Sequence, residues 1–244
     1  MNVLVVGATS AIAQATARVW AARGASFYLA GRRDTLLVAC ADDLRVRGAR
    51  AVAVERFDAT DRDAQAGLID RAEAAIGALD CVFIAHGTLP DQEAAVADPD
   101  LALREIELNG VSAAALALRA ARLFEPRGTG TIVAITSVAA VRGRASNFVY
   151  GAAKSLVSTL LEGLRHRMHG KGVAVVEIRP GFVDTPMTAA FTKSAIWATP
   201  AQVAKDIVRA VDRGAGIVYT PWFWRWIMLV IRHVPEPIFV KTRL

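Results

Sequence analysis

Cysteine is scarce. Cys40 and Cys81 are the whole complement of a 244-residue chain. That is too few for a disulfide scaffold or a structural zinc site, so a reducing compartment and no metal centre are expected. No apolar run reaches the ~18 residues of a membrane-crossing helix. Only Met1 and Asn2 precede the apolar Val3-Leu4-Val5-Val6, with no basic segment or signal-peptide core, so a cytoplasmic location is expected. There is no linker rich in Pro, Ser or Gly, no repeat with a period of roughly 20–50 residues, and no heptad pattern. The net charge of +6 comes from scattered basic residues that no nucleic-acid-reading motif frames, so nucleic acid is not an expected partner.

What is present is apolar and regularly spaced. At 54% hydrophobic and 21% charged, the composition suits one well-packed domain. Short runs rich in Val and Ile at 3–6, 26–30, 51–55, 81–85, 131–135, 173–178 and 216–219 read as strands covered on both faces. Helical patterns near 10–23, 34–47, 62–76, 100–125, 148–169 and 200–213 lie between them. This alternation predicts an α/β fold: a three-layer, Rossmann-type, doubly wound parallel sheet of about seven strands over residues 1–220. Residues 221–244 follow as a tail.

The first strand runs into Gly7-Ala8-Thr9-Ser10-Ala11-Ile12-Ala13. The backbone N–H groups and positive helix end expected there suit a pyrophosphate, held by Gly7, Thr9, Ser10, Ala11 and Ile12. Ala11 and Ala13 replace the second and third glycines of the usual fingerprint; the Ala11 methyl obstructs close approach to the phosphates. The second strand ends in Arg32-Arg33 where an NAD enzyme carries an acid for the ribose 2′-hydroxyl. Two guanidinium groups suit a 2′-phosphate, favouring NADP. Asp58 and Ala59, after strand three, stand where the sheet edge meets an adenine; for Asp58 a turn or N-cap role is the other reading.

Tyr150 and Lys154 stand at i and i+4 on one helix face, so the ammonium reaches the phenol and favours its ionised form. Ser137, at the end of the strand 131–135, lies on the edge where open α/β sheets bind ligands, and its hydroxyl suits a substrate carbonyl. With this spacing and with Pro180-Gly181 after the next strand, the chain resembles the short-chain dehydrogenase/reductase family along its whole length.

That resemblance implies strand order 3-2-1-4-5-6-7 and homodimers or homotetramers. It makes Tyr150 the general acid in reduction, gives Lys154 the Tyr150 pKa and the nicotinamide ribose, and has Ser137 orient the carbonyl. It assigns Asn109 to a water of the proton relay or to a helix kink, and Pro180, Gly181, Val183 and Thr185 to the nicotinamide. The family's Asn-Asn-Ala-Gly stretch is here Ile84-Ala85-His86-Gly87, so Ala85, His86 and Gly87 take the cofactor-lining places. His86 is expected to pack rather than to supply a proton.

The tail holds Trp222, Trp224 and Trp226 with Arg225, Arg232, Lys241 and Arg243 against Glu236, half of the net positive charge. An apolar helix with a narrow basic stripe either lies on a membrane surface, here the inner face, or packs on protein. The segments Asn147–Gly151, Ile178–Gly181 and Ile231–Phe239 resemble decaprenylphosphoryl 2-keto-pentose reductases. Between Pro186 and Trp197, Met187, Phe191 and Trp197 give an expected apolar lining with Lys193 as its main charge. The expectation is therefore an NADP-dependent reductase of a ketone, with a lipid-linked keto-sugar as one substrate. Its alternatives are a soluble carbonyl such as a 3-ketoacyl thioester and a non-catalytic NADP-binding scaffold at the membrane.

Overall fold

The computed structural model describes residues 1–242; Arg243, counted above with the tail, lies outside them. Strands β1 (Asn2–Val6), β2 (Ser26–Gly31), β3 (Val52–Arg56), β4 (Cys81–Ile84), β5 (Gly130–Ile135), β6 (Val173–Pro180) and β7 (Ile217–Thr220) form one sheet in the order 3-2-1-4-5-6-7. Each neighbouring pair is parallel, with Val6 level with Ala30 on one side and Ile84 on the other. This is the doubly wound, Rossmann-like arrangement expected from the sequence.

Alternation along the strands divides the core. Leu4, Val6, Tyr28, Val82 and Ile84 face a layer built from α3 (Arg62–Ile76), α6 (Ser112–Arg127) and α7 (Phe148–Arg167). Val3, Val5, Phe27, Leu29 and Phe83 face α1 (Ala11–Ala21), α2 (Asp34–Val46) and α8 (Pro200–Arg213). Trp20 of α1 is buried edge-on to Phe83, with ring centroids 5.7 Å apart. Helix α8 starts on a reciprocal cap in which Thr199 Oγ1 accepts from Gln202 N and Gln202 Oε1 accepts from Thr199 N.

The helix expected over 100–125 runs without a break over 99–127 but widens at its middle. It comprises α5 (Pro99–Ile106), a wide π turn at Glu107–Val111, and α6, and the separate short α4 (Gln92–Ala97) precedes it. Asp98 Oδ1 accepts from Asp100 N and Leu101 N and starts α5 ahead of Pro99, while the π turn carries Asn109 inward. Between β5 and β6, Glu177 is fully buried; its Oε1 accepts from Thr136 Oγ1 (2.8 Å) and Arg179 Nε (2.7 Å). That pairing satisfies a buried charge and locks together the two strand ends that precede Ser137 and Gly181.

After β7 the chain forms α9 (Trp224–His233) and α10 (Glu236–Phe239). Trp224 and Met228 are buried against Val138, so the inner face of α9 packs on its own domain. Its outer side exposes Trp226, Leu229 and Val230, and Trp222 is exposed just ahead of it. No helix among the described residues is long and apolar enough to cross a membrane.

Candidate active site

A single cleft of about 1240 Å³ runs along the carboxyl ends of the strands. At one end, the β1–α1 turn is tied down by Gly7 N and Ala8 N, which both donate to Ala30 O. The Ser10 side chain makes no bond to the first turn of α1, so the helix N-terminus keeps free N–H donors at the cleft wall. Thr9, Ser10, Ala11 and Ile12 form that wall. Ala13 is fully buried, serving the packing role of the missing glycine. Arg32 and Arg33 are exposed at the end of β2, line the same end, and Arg33 Nη2 donates to Thr9 Oγ1 at 3.2 Å. An uncapped helix end beside two unneutralised guanidinium groups fits the phosphates of a nicotinamide dinucleotide.

Ala59 lines the cleft but Asp58 does not. Asp58 Oδ1 accepts from Thr60 N and Thr60 Oγ1, which holds its carboxyl below the usual range. Of its two sequence readings, its geometry is that of the turn residue.

At the centre, Ala85, His86 and Gly87 follow β4 into the cleft. Ser112 Oγ donates to Leu108 O and so accepts from His86 Nε2–H at 2.8 Å, which leaves Nδ1 unprotonated and unpartnered. Burial, with help from the Lys154 charge, pushes the His86 pKa down to about 3. A histidine so depressed contributes stability that is fully present above its ordinary pKa and lost as pH falls. Acidification from about pH 7 to about pH 5 is therefore expected to cost roughly 2 kcal/mol at this site. Thermal melts across that range check it: the slope of Tm against pH should flatten in a His86→Gln variant.

Gly87 adopts φ +152°, and a side chain there would meet Asn109 Oδ1 at 2.7 Å and Lys154 Nζ at 3.3 Å. Its absence lets these two groups converge behind the cleft. Asn109 is fully buried and does not line the cleft. Its Oδ1 accepts from Thr88 N (2.9 Å), and its Nδ2 donates to Glu105 O and Glu105 Oε2.

Ser137 leaves β5 and caps a short turn at Val138–Val141, its Oγ accepting from Ala139 N at 3.1 Å. Tyr150, in the first turn of α7, and the buried Lys154 one turn on share the cleft wall with Ser137. Burial pushes the Tyr150 pKa up to about 12, and the Ser137 hydroxyl pulls against that. Burial lowers Lys154 to about 8. Its Nζ donates to Ile135 O at 3.3 Å and sits 5.8 Å from the Tyr150 ring centroid. With the cleft in this form desolvation dominates Tyr150, opposed by Ser137 alone, and the expected lowering by Lys154 does not operate.

At the far end, Pro180, Gly181, Val183 and Thr185 line the cleft with Phe182, Met187 and Phe191. Two lining expectations are corrected. Trp197 stacks behind Phe182, centroids 5.2 Å apart, and is not part of the wall; Lys193 is drawn out of it to Asp184 at 2.7 Å. In their place α9 supplies Trp224, Ile227 and Ile231, the start of α4 supplies Gln92, and the segment before α7 supplies Arg144 and Asn147. Gly181 allows the Trp224 indole to lie directly on the backbone, since a Cβ there would fall 1.9 Å from Nε1. Arg142 fastens this cover. Its Nη1 donates to Ile231 O (2.8 Å) and Val234 O, Nη2 pairs with Glu236 Oε2 (2.7 Å), and its guanidinium lies 3.7 Å from the Phe239 ring centroid.

Comparison with known proteins finds a match between residues 1–195 and the family described as short chain dehydrogenase. An uncharacterized oxidoreductase of Mycobacterium tuberculosis is 35% identical over 242 residues, covering 99% of this chain and 96% of that protein. A cis-4-hydroxycyclohexanecarboxylate dehydrogenase of Sinomonas cyclohexanicum is 35% identical over 192 residues, 76% of this chain and 74% of its own. Among solved structures, the bulky-bulky ketone specific alcohol dehydrogenase from Comamonas testosteroni superposes with a TM-score of 0.79. That match covers 99% of this chain and 94% of the other at 22% identity, a likeness of fold.

Proposed function

The chain belongs to the short-chain dehydrogenase family, and on that premise we propose that it is an NADPH-dependent reductase of a bulky, largely apolar ketone. The fullest version of that substrate is a 2-keto-sugar joined through phosphate to a polyprenyl chain. The observation that carries the reading is one cleft with Arg32 and Arg33 at one end, Ser137, Tyr150 and Lys154 midway, and apolar walls at the other.

Bound NADPH supplies the hydride. Arg32 and Arg33 would hold its 2′-phosphate, and the α1 N-terminus its pyrophosphate. The Ser137 hydroxyl donates to the ketone oxygen and fixes the carbonyl beside Tyr150. The Tyr150 proton passes to that oxygen as negative charge grows on it. Lys154 holds its positive charge next to the resulting phenolate, and Asn109 keeps the interior end of this chain of groups in place. Phe182, Met187, Phe191 and the α9 residues exclude water from the reacting carbon.

The exposed Trp222, Trp226, Leu229 and Val230, with the exposed Arg225 and Arg232 alongside, support contact with the inner face of a membrane. Exposed Leu103, Leu118, Phe148 and Leu156 along α5–α7 support a homo-oligomer. A compact soluble ketone is the second reading, favoured by the likeness to the cyclic hydroxy acid dehydrogenase.

The test is NADPH oxidation by the purified protein with lipid vesicles present, offering a polyprenyl-phosphoryl 2-keto-pentose, acetoacetyl thioester and a cyclohexanone in parallel. Turnover of the lipid-linked sugar alone is expected. Preference for either soluble ketone moves the assignment to the second reading, and silence with all three, with NADPH bound, overturns the substrate class.

A further inference from the structure

Buried polar side-chain atoms nearly always find a partner, and those that do not mark places where a ligand supplies one. Among the described residues, five cleft-lining side chains hold a buried atom without a partner: His86 Nδ1 at the centre, and Gln92 Nε2, Arg144 Nε, Asn147 Oδ1 and Trp224 Nε1 at the substrate end. The Gln92 amide orientation is fixed, because its Oε1 accepts from Val149 N, so Nε2 is a true donor. Of the four at the substrate end, three are N–H donors, a local excess that asks for acceptor oxygens.

The charge pattern sharpens the request. The cations in the cleft wall are Arg32, Arg33, Lys154 and Arg144. The first two serve the dinucleotide end and Lys154 stands beside Tyr150. Arg144 has no task there. It lies on the loop between Ser137 and Tyr150, among the apolar residues of the substrate end, with no ion pair or side-chain hydrogen bond among the described residues. The one carboxylate of the wall, Asp91, turns its Oδ1 to Ala94 N. Burial lowers the Arg144 pKa, with no neighbouring acid to offset it.

We infer that Arg144, with the Gln92 amide as a second donor, binds an oxyanion, a carboxylate or a phosphate, carried by the ketone substrate. The planar guanidinium fork matches either group in two parallel hydrogen bonds. This inference rests on the reductase reading, and it divides the substrate into a reacting carbonyl at Tyr150 and an anionic handle on the Arg144 side of the cleft. A neutral ketone leaves an unpaired guanidinium among apolar walls, so the site discriminates against uncharged analogues.

The experiment uses the full chain saturated with NADP+ and three ligands that contain no ketone: 4-biphenylcarboxylate, 4-biphenyl phosphate and the neutral 4-biphenylcarboxamide, each titrated calorimetrically. The anions are expected to bind at least about 30-fold tighter than the amide. Arg144→Met should erase that difference without changing affinity for the amide or for NADPH, and Arg144→Lys should restore part of it. Which anion binds tighter distinguishes a carboxylate substrate from a phosphate one. Equal binding of all three ligands, or an anion preference that survives Arg144→Met, overturns the inference. Because none of the ligands is reduced, an anion preference in a protein that reduces no ketone would leave the site standing and sink the reductase reading instead.

Discussion

Replacing Tyr150 with phenylalanine is expected to lower kcat for ketone reduction by about 1,000-fold, within the range for a positioned general acid. NADPH affinity should change by less than about 3-fold, because the ring remains and only the proton donor is lost. Wild-type turnover in this variant would remove Tyr150 from the chemistry. The wild-type pH profile follows from the same pair. Tyr150 at about 12 stays protonated through the working range and adds no limb. Lys154 at about 8 carries its charge below that pH and loses it above. Reductive kcat/KM should therefore be flat through neutrality and fall above pH 8, at most roughly tenfold per pH unit. A Lys154→Met variant should show a lower and flatter profile. A rate that rises through pH 8 would mean that Lys154 works in its neutral form.

The second large effect lies at the other end of the cleft. In an Arg32→Asp, Arg33→Ala protein, affinity for NADPH is expected to fall by about 100-fold, the worth of one to two charge-assisted hydrogen bonds. Affinity for NADH should stay within a few-fold, since its ribose offers a hydroxyl that Asp can accept from. Both arginines are exposed, so their loss leaves no buried charge behind and the fold should survive. Fluorescence titration of both cofactors reads the ratio. Equal losses for NADH and NADPH would assign the pair to general phosphate attraction.

What the sequence disclosed follows from the range of the interactions involved. Strands buried on both faces are written as unbroken Val- and Ile-rich runs, so β1, β4, β5 and β6 stood within two residues of their observed ends. Tyr150 and Lys154 are joined by one helical turn, and Arg32 and Arg33 by one strand end, so local spacing sufficed. Asn109 was harder, because its role depends on a π turn and on Thr88, whose backbone N–H arrives from 21 residues away. The substrate end was least legible. Lys193 looked like its main charge until Asp184 claimed it, and Trp197 looked like lining until Phe182 covered it. Arg144 was hidden for the opposite reason: what distinguishes it is the absence of a partner, which no pattern of neighbours in the chain reveals. Trp224 belonged to a stretch whose apolar composition fits a surface or a core equally well, and only packing on Gly181 decides between them.

The Arg142 clamp ties the tail to the Gly181 end of the cleft. Through it, α9 is held by its last carbonyls while Trp224, at its first turn, rests on Gly181. Were the indole to lift away, any cofactor that favours the seated form would tighten the tail by the factor by which the tail tightens the cofactor. A binder of the outer face of α9 that prefers the lifted form would weaken the cofactor by that same factor, and saturating cofactor would relieve its inhibition. A covalent tether from α9 to the Val138–Val141 turn would do the reverse, slowing release of the oxidised cofactor without touching a reacting atom.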